Sequence, residues 1–146
     1  LASHKNIVGL KDATGDLDRS NELISMLDKE GLKTFLLYSG DDPTATNFML
    51  NGGDGTISVT ANIVPKIISE ICDLALKGNS DEARKFDSQL KELNEILFIE
   101  SNPIPIKWML NRIGRITDGI RLPLTTLNEI YHTDVEKILK ELKLLN

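Results

Sequence analysis

A lysine follows a short apolar run near the start of the chain. Residues 7–10 are apolar or small, Lys11 comes next, and turn-forming residues follow it. Such a run is typical of a buried strand in a parallel sheet, and ligands bind beyond the carboxyl ends of these strands. Burial lowers the pKa of a lysine from about 10.4, and a neutral amine can attack a ketone to form a Schiff base. Lys11 is therefore a candidate nucleophile. The alternative is a lysine that reaches solvent or pairs with Asp12.

The elements that would position Lys11 alternate between strands and helices. Apolar patterns predict strands at residues 7–11, 34–38 and 56–59. Helices are predicted at residues 18–29, 64–76, 81–98 and 102–112, with a short one after Pro43 and a last one ending near residue 142. Residues 1–5 are predicted to be the end of a further helix. This order predicts an α/β fold followed by helices alone.

Composition and spacing exclude several classes of function. A net charge of −5 with dispersed Lys and Arg residues argues against a nucleic-acid partner. No apolar run approaches the roughly 20 residues of a membrane span, and no signal peptide is visible. A single cysteine, Cys72, suits a reducing compartment, so a cytoplasmic location is predicted. His4 and His132 are isolated, so no metal site is predicted. The Gly-rich segment at residues 52–55 lacks the phosphate-binding pattern and is interpreted as a tight turn.

Four motifs occur along the chain in a characteristic order. They are Gly9-Leu-Lys-Asp-Ala-Thr-Gly-Asp16, Leu37-Tyr-Ser-Gly-Asp-Asp42, Gly52-Gly-Asp-Gly-Thr-Ile-Ser-Val-Thr-Ala-Asn62 and Glu100-Ser-Asn-Pro-Ile-Pro-Ile-Lys-Trp108. The first resembles the Schiff-base lysine motif G-[IL]-K-[ED]-A-[TS]-G of the dihydrodipicolinate synthase family, within the pyruvate-dependent class I aldolase superfamily. The other three, and the segment Leu122-Pro-Leu-Thr, resemble the same family in the same order.

The resemblance implies a (β/α)8 TIM barrel, a fold that typically takes about 250 residues. The sequence has 146 residues, so we interpret it as the C-terminal part of such a barrel. Residues 1–79 would hold the last three strands and their helices, and residues 80–146 the C-terminal helical extension. The N-terminal half of the barrel would then be a missing partner, and the family implies a homo-oligomer, commonly a tetramer.

The resemblance also implies roles for particular residues. Lys11 would condense with the ketone of pyruvate and give an enamine, with the iminium nitrogen as electron sink, so no cofactor or metal is implied. Gly40 would be the pocket glycine opposite Lys11, and Ile57 would face the pyruvate adduct with its backbone carbonyl. Thr14 would be a neighbour in the loop. The family's carboxylate-binding threonines, proton-relay tyrosines and substrate-binding arginine lie in the N-terminal half and match no position here.

Three functions remain open on the sequence. The first is condensation of pyruvate with aspartate-4-semialdehyde in the diaminopimelate and lysine pathway. The second is an N-acetylneuraminate lyase or a 2-keto-3-deoxy sugar-acid aldolase. Neuraminate lyases carry G-x-D-E where this chain has Gly40-Asp-Asp-Pro43, which favours the synthase. The third is not an enzyme: an inactive truncated remnant, or a half-barrel that complements another chain. An isolated fragment of this kind is expected to be inactive.

Overall fold

The computed structural model describes residues 1–145. Three short strands are β1 (Gly9–Asp12), β2 (Leu36–Ser39) and β3 (Gly55–Thr56). The α-helices are α1 (Leu17–Lys29), α2 (Asp42–Leu50), α3 (Pro65–Leu76), α4 (Ser80–Ser88), α5 (Lys91–Ile96), α6 (Ile104–Arg112) and α7 (His132–Glu141). Single 3-10 turns lie at Thr60–Asn62 and Glu129–Tyr131. No helix in this part of the chain is long and apolar enough to cross a membrane.

The described residues form two compact units. The first comprises Leu1–Ser58 and Lys66–Gln89, and the second comprises Val59–Pro65 and residues 90–145. The sequence-based division between residues 79 and 80 stays a prediction.

The first unit contains a parallel sheet in the order β1-β2-β3. Lys11 lies opposite Tyr38, and Tyr38 lies opposite Gly55. Because side chains alternate across a strand, these three positions share one face of the sheet. Asp12 and Ser39, which are also paired, share the other face and are buried. Since all three strands are parallel, their carboxyl ends lie together along one side of the sheet, which is distinct from the open edge of β1.

Local chemistry explains where the helices beside the sheet begin and end. Asp16 caps α1 by accepting a hydrogen bond from the Arg19 N–H at 3.0 Å, and Gly31 follows its end with a φ of 70°. Asp41 caps α2, which carries Pro43 in its first turn. The buried apolar side chains of the first unit are Leu37, Ala45, Phe48, Met49, Ile71, Ala75 and Ala83.

The second unit is helical and has its own buried apolar residues. These are Ile63, Val64, Leu90, Leu93, Ile96, Leu97, Ile104, Ile106, Met109, Leu127, Val135, Ile138 and Leu139. Within it, the Thr60 hydroxyl donates to the Asn94 side-chain oxygen at 2.6 Å, and both residues are buried. The Trp108 ring stacks on His132 with centroids 4.4 Å apart.

Two helix predictions were wrong. The helix predicted at residues 81–98 is two helices, α4 and α5, with the break at residues 89–90. Leu90 at this break is fully buried, so the apolar periodicity continues across it and conceals it. Residues 1–5 form turns instead of a helix end, with hydrogen bonds from the His4 N–H to the Leu1 carbonyl and from the Ile7 N–H to the His4 carbonyl.

The predicted burial of the first strand was also wrong. Val8 is 70% exposed and Leu10 is 39% exposed. The reason is that β1 is an edge strand: within residues 1–145 it pairs with β2 alone. An apolar strand at an open edge keeps the composition of a buried strand, so its sequence cannot distinguish the two situations.

Candidate active site

Lys11 lies at the carboxyl end of β1, as the sequence predicts. It is the third of the four residues of the strand and shares a sheet face with Tyr38. The lysine was expected at the end of a fully buried strand, but in this chain it is exposed. Leu10, on the opposite face of the same strand, is also exposed.

Gly40 lies directly against the side chain of Lys11. A Cβ atom placed on Gly40 would overlap Cε of Lys11, would lie 3.1 Å from its Cγ and would lie 2.8 Å from Cβ of Ala13. The Gly40 N–H donates to the Asp12 carbonyl at 2.7 Å, which holds the loop after β2 beside the end of β1. Any side chain at position 40 would therefore displace Lys11.

Ile57 lies at the same edge, one residue beyond β3. Its N–H donates to the Ser39 carbonyl at 2.8 Å, and its side chain is 52% exposed. Next to it, Gly55 leaves room for the ring of Tyr38, since a Cβ there would lie 2.9 Å from Cε1 of that ring. The structure thus places Lys11, Gly40 and Ile57 along one edge of the sheet.

Thr14 belongs to the loop after β1. Its N–H donates to Oδ1 of Asp12 at 2.9 Å, and its hydroxyl oxygen accepts from the Asp16 N–H at 3.3 Å. These bonds shape the turn between β1 and α1. A role for Thr14 at the Lys11 amine stays a prediction.

Asp12 pairs with Arg19 and not with its neighbour Lys11. The Arg19 Nε lies 3.0 Å from Oδ2 of Asp12, and Asp12 and Lys11 project to opposite faces of the strand. Burial raises the pKa of the Asp12 carboxyl, but hydrogen bonds from Thr14 and the Arg19 guanidinium outweigh burial and hold that pKa below its usual value. The alternative of a Lys11–Asp12 ion pair is therefore not what the structure contains.

The two acids after β2 have different environments. Asp41 accepts from the Thr44 hydroxyl at 2.6 Å and from the Thr44 N–H at 3.2 Å, so it serves as the cap of α2. Asp42 is only 4% exposed and accepts a hydrogen bond from the Ser58 hydroxyl. Ser58 was missed in the sequence, although its position directly after Ile57 is a signal that could have drawn attention to it.

No group of three His, Cys, Asp or Glu side chains within residues 1–145 is arranged to hold a metal ion. His132 instead stacks on Trp108, and its Nε2 lies 3.1 Å from the Leu127 carbonyl.

The sequence is similar to proteins of a known family. A sequence profile of the Dihydrodipicolinate synthetase family matches residues 1–142. The 4-hydroxy-tetrahydrodipicolinate synthase of Marinobacter nauticus is 52% identical over 140 residues, covering 96% of this chain and 47% of that protein. The synthase of the same name from Pseudomonas aeruginosa is 47% identical over 141 residues, covering 97% of this chain and 47% of that protein. The chain thus spans about half the length of the curated relatives it matches.

Solved structures of dihydrodipicolinate synthases are also similar to this chain. A chloride-inhibited dihydrodipicolinate synthase from Acinetobacter baumannii, complexed with pyruvate, matches with a TM-score of 0.94 and 48% identity, over 99% of this chain and 48% of that one. The dihydrodipicolinate synthase of Thermotoga maritima matches with a TM-score of 0.92 and 38% identity, over the same shares of the two chains. The chain therefore belongs to the dihydrodipicolinate synthetase family, and its α/β structure is that of this TIM-barrel family.

Proposed function

We propose that this chain supplies the nucleophile of a 4-hydroxy-tetrahydrodipicolinate synthase, a lyase of the diaminopimelate and lysine pathway. Lys11 forms a Schiff base with pyruvate, and the resulting enamine adds to aspartate-4-semialdehyde. The observation that carries the proposal is the position of Lys11 at the carboxyl end of β1, with Gly40 against its side chain. The names of the Marinobacter and Pseudomonas relatives support it, as does the pyruvate bound to the Acinetobacter enzyme.

The chemistry follows from the lysine amine. The neutral amine attacks C2 of pyruvate, and the carbinolamine loses water to give a protonated imine. Loss of a proton from C3 sends an electron pair to the iminium nitrogen and yields an enamine, whose C3 then attacks the aldehyde carbon. Because the iminium nitrogen accepts the electrons, the step needs no metal or organic cofactor. Gly40 leaves space for the adduct, and the Ile57 carbonyl faces it.

The exposure of Lys11 fits a site that the rest of a barrel completes. The matched relatives are about twice as long as this chain. We propose that residues 1–79 are the last three βα units of a (β/α)8 barrel and that residues 80–146 are its helical extension. The remaining half would enclose Lys11 and supply groups that bind the carboxylate and move protons. We refer to both halves together as the full-length enzyme, which we propose is a homo-oligomer.

Asp42 supports the synthase over a sugar-acid lyase. In the G-x-D-E pattern of neuraminate lyases, acidic side chains hold sugar hydroxyls. Here the corresponding Asp42 is 4% exposed and accepts a hydrogen bond from Ser58, while proline replaces the glutamate and occupies the first turn of α2. The side chains at these two positions are therefore poorly placed to bind the hydroxyl groups of a sugar acid.

Substrate comparison with the full-length enzyme tests the proposal. Pyruvate should be consumed with aspartate-4-semialdehyde, and the kcat/KM of this reaction should exceed that of N-acetylneuraminate cleavage by at least about 100-fold, a ratio within reach of polar recognition. Lys11→Ala should abolish turnover, whereas Lys66→Ala, at an exposed lysine of α3, should leave it unchanged. Faster cleavage of N-acetylneuraminate, or turnover by the Lys11→Ala variant, would contradict the proposal.

A further inference from the structure

A side-chain hydrogen bond joins the segment after β3 to the start of α2, at the carboxyl ends of the strands. The Ser58 hydroxyl donates to Oδ1 of Asp42. Ser58 comes directly after Ile57, and Asp42 lies two residues after Gly40. The bond therefore links the segment after β3, which carries Ile57, to the first residue of α2, which follows the short loop that carries Gly40.

The acceptor of this bond is firmly held. Asp42 is 4% exposed and is the first residue of α2, where the helix dipole favours a carboxylate. The helix itself is anchored by the Asp41 cap. A hydrogen bond from a hydroxyl to a carboxylate is stronger than a hydrogen bond between two neutral groups, and burial strengthens it further. Ser58 is therefore held by a fixed group.

We propose that Asp42 and Ser58 are positioning residues for the Schiff-base reaction. Their hydrogen bond fixes the backbone of Ile57 relative to Gly40, and so sets the width of the space in which the pyruvate adduct of Lys11 must fit. The Ile57 N–H bond to the Ser39 carbonyl holds the same segment from the strand side. This inference rests on the function proposed above for Lys11. Both residues act through the backbone of Ile57, with no contact to the reacting atoms required.

The first unit offers a matched control. The Thr46 hydroxyl donates to Oδ1 of Asp87 at 2.8 Å, and Thr46 is 1% exposed. This bond also joins a hydroxyl to a carboxylate, but it connects the middle of α2 to α4, away from Gly40 and Ile57. Removing it should lower the free energy of unfolding by an amount similar to that lost with the Ser58 bond, without changing the proposed pyruvate site around Lys11.

The test measures the rate at which pyruvate is trapped on Lys11. The full-length enzyme is mixed with increasing pyruvate, quenched with borohydride at set times and analysed by mass spectrometry. Ser58→Ala should lower the second-order rate constant of trapping by about 10- to 100-fold. This is the loss expected when the reacting groups are displaced by about 1 Å. Ser58→Thr, which keeps the hydroxyl, should restore it to within about threefold of the wild type. Thr46→Val should lower the melting temperature while leaving the trapping rate within about twofold.

Each outcome bears on a separate claim. If Ser58→Ala traps pyruvate as fast as the wild type, or is slowed no more than Thr46→Val, the positioning role is wrong. If the wild type itself traps no pyruvate on Lys11, the proposed function fails instead. Should Ser58→Ala not fold, Asp42→Asn keeps an oxygen acceptor without the charge and should slow trapping by about three- to tenfold. An unchanged rate in that folded variant would equally overturn the inference.

Discussion

Lys11 carries the proposed chemistry, and Gly40 limits where its side chain can lie. The aliphatic part of the lysine passes over the glycine, close enough that a Cβ would overlap Cε. The sequence motifs could predict that Gly40 lies close to Lys11, and the role of both residues in a pyruvate site stays a prediction. The pairing of Asp12 could not be predicted, because it depends on how α1, which carries Arg19, lies against the end of β1. Ser58 was missed because its residue type alone indicates no role, although its position directly after Ile57 was an available signal.

Gly40→Ala should slow the formation of the Lys11 adduct in the full-length enzyme by at least about 100-fold, because the new methyl group displaces the amine from its reacting position. The measurement is the rate of borohydride trapping with pyruvate. Gly78→Ala is the control: its φ of 77° makes the substitution costly for the backbone, but nothing lies within 4 Å of its Cβ. It should lower stability by about 1 kcal/mol and leave trapping unchanged. Equal trapping rates in both variants would contradict the role of Gly40.

The sequence predicts the order of the strands and helices better than it predicts their interruptions and their exposure. Alternating strands and helices could be predicted in the right order, since apolar runs and caps are local signals. The break between α4 and α5 could not, because Leu90 continues the apolar periodicity through it. The exposure of β1 could not be predicted either, since it depends on the absence of a second neighbouring strand within residues 1–145.

The connection between β1 and α1 should depend on pH through Asp12. Its pKa is lowered in the folded state, as burial is outweighed by the bonds from Thr14 and Arg19. An acid with a lowered folded pKa contributes stability above its unfolded pKa of about 3.9, and this contribution is lost as pH falls through the folded pKa. At pH 7, Asp12→Asn should therefore reduce the free energy of unfolding by about 1–2 kcal/mol.

Urea unfolding at several pH values measures this effect. The difference between the wild type and Asp12→Asn should shrink as pH falls below about 4. Glu22→Gln, at an exposed position in the middle of α1, should change stability by less than about 0.5 kcal/mol. A difference for Asp12→Asn that stays constant down to pH 2 would show that the charge of Asp12 is not what matters.

At the scale of the whole molecule, residues 1–146 expressed alone should self-associate. Four apolar side chains on or beside the strands are exposed: Val8 at 70%, Leu10 at 39%, Leu36 at 37% and Ile57 at 52%. The open edge of β1 also presents unpaired backbone groups to a second strand. Val8→Lys should weaken association by about tenfold or more, since burying one aliphatic side chain contributes about 1.5–3 kcal/mol. Sedimentation equilibrium measures the change.

Leu122→Lys provides the comparison for self-association. Leu122 is 79% exposed but belongs to the second unit, so its replacement should leave association nearly unchanged. Adding the other half of the barrel should reduce association of the wild type, because that half would cover the β1 edge. If the wild-type chain is monomeric at high concentration, the β1 edge is not an association surface. The same conclusion follows if Leu122→Lys weakens association as much as Val8→Lys does.

The same 146-residue chain should have no measurable synthase activity by itself. It carries the proposed nucleophile, and we propose that the other half supplies the carboxylate-binding and proton-transfer groups; positioned acid–base groups alone contribute about 10²- to 10⁴-fold. Coupled assays with pyruvate and aspartate-4-semialdehyde should detect turnover only after the other half is added. Turnover by a monomeric 146-residue chain would mean that it builds a complete site of its own.

The most direct test of the central claim is the location of the pyruvate adduct. The full-length enzyme is incubated with pyruvate and borohydride, digested and mapped by tandem mass spectrometry. We expect a mass increase of about 72 Da, the reduced Schiff base of pyruvate, on Lys11, and its loss in Lys11→Ala. An adduct on Lys66 of α3 or Lys107 of α6, or no adduct on any lysine, would contradict the assignment of Lys11 as the nucleophile.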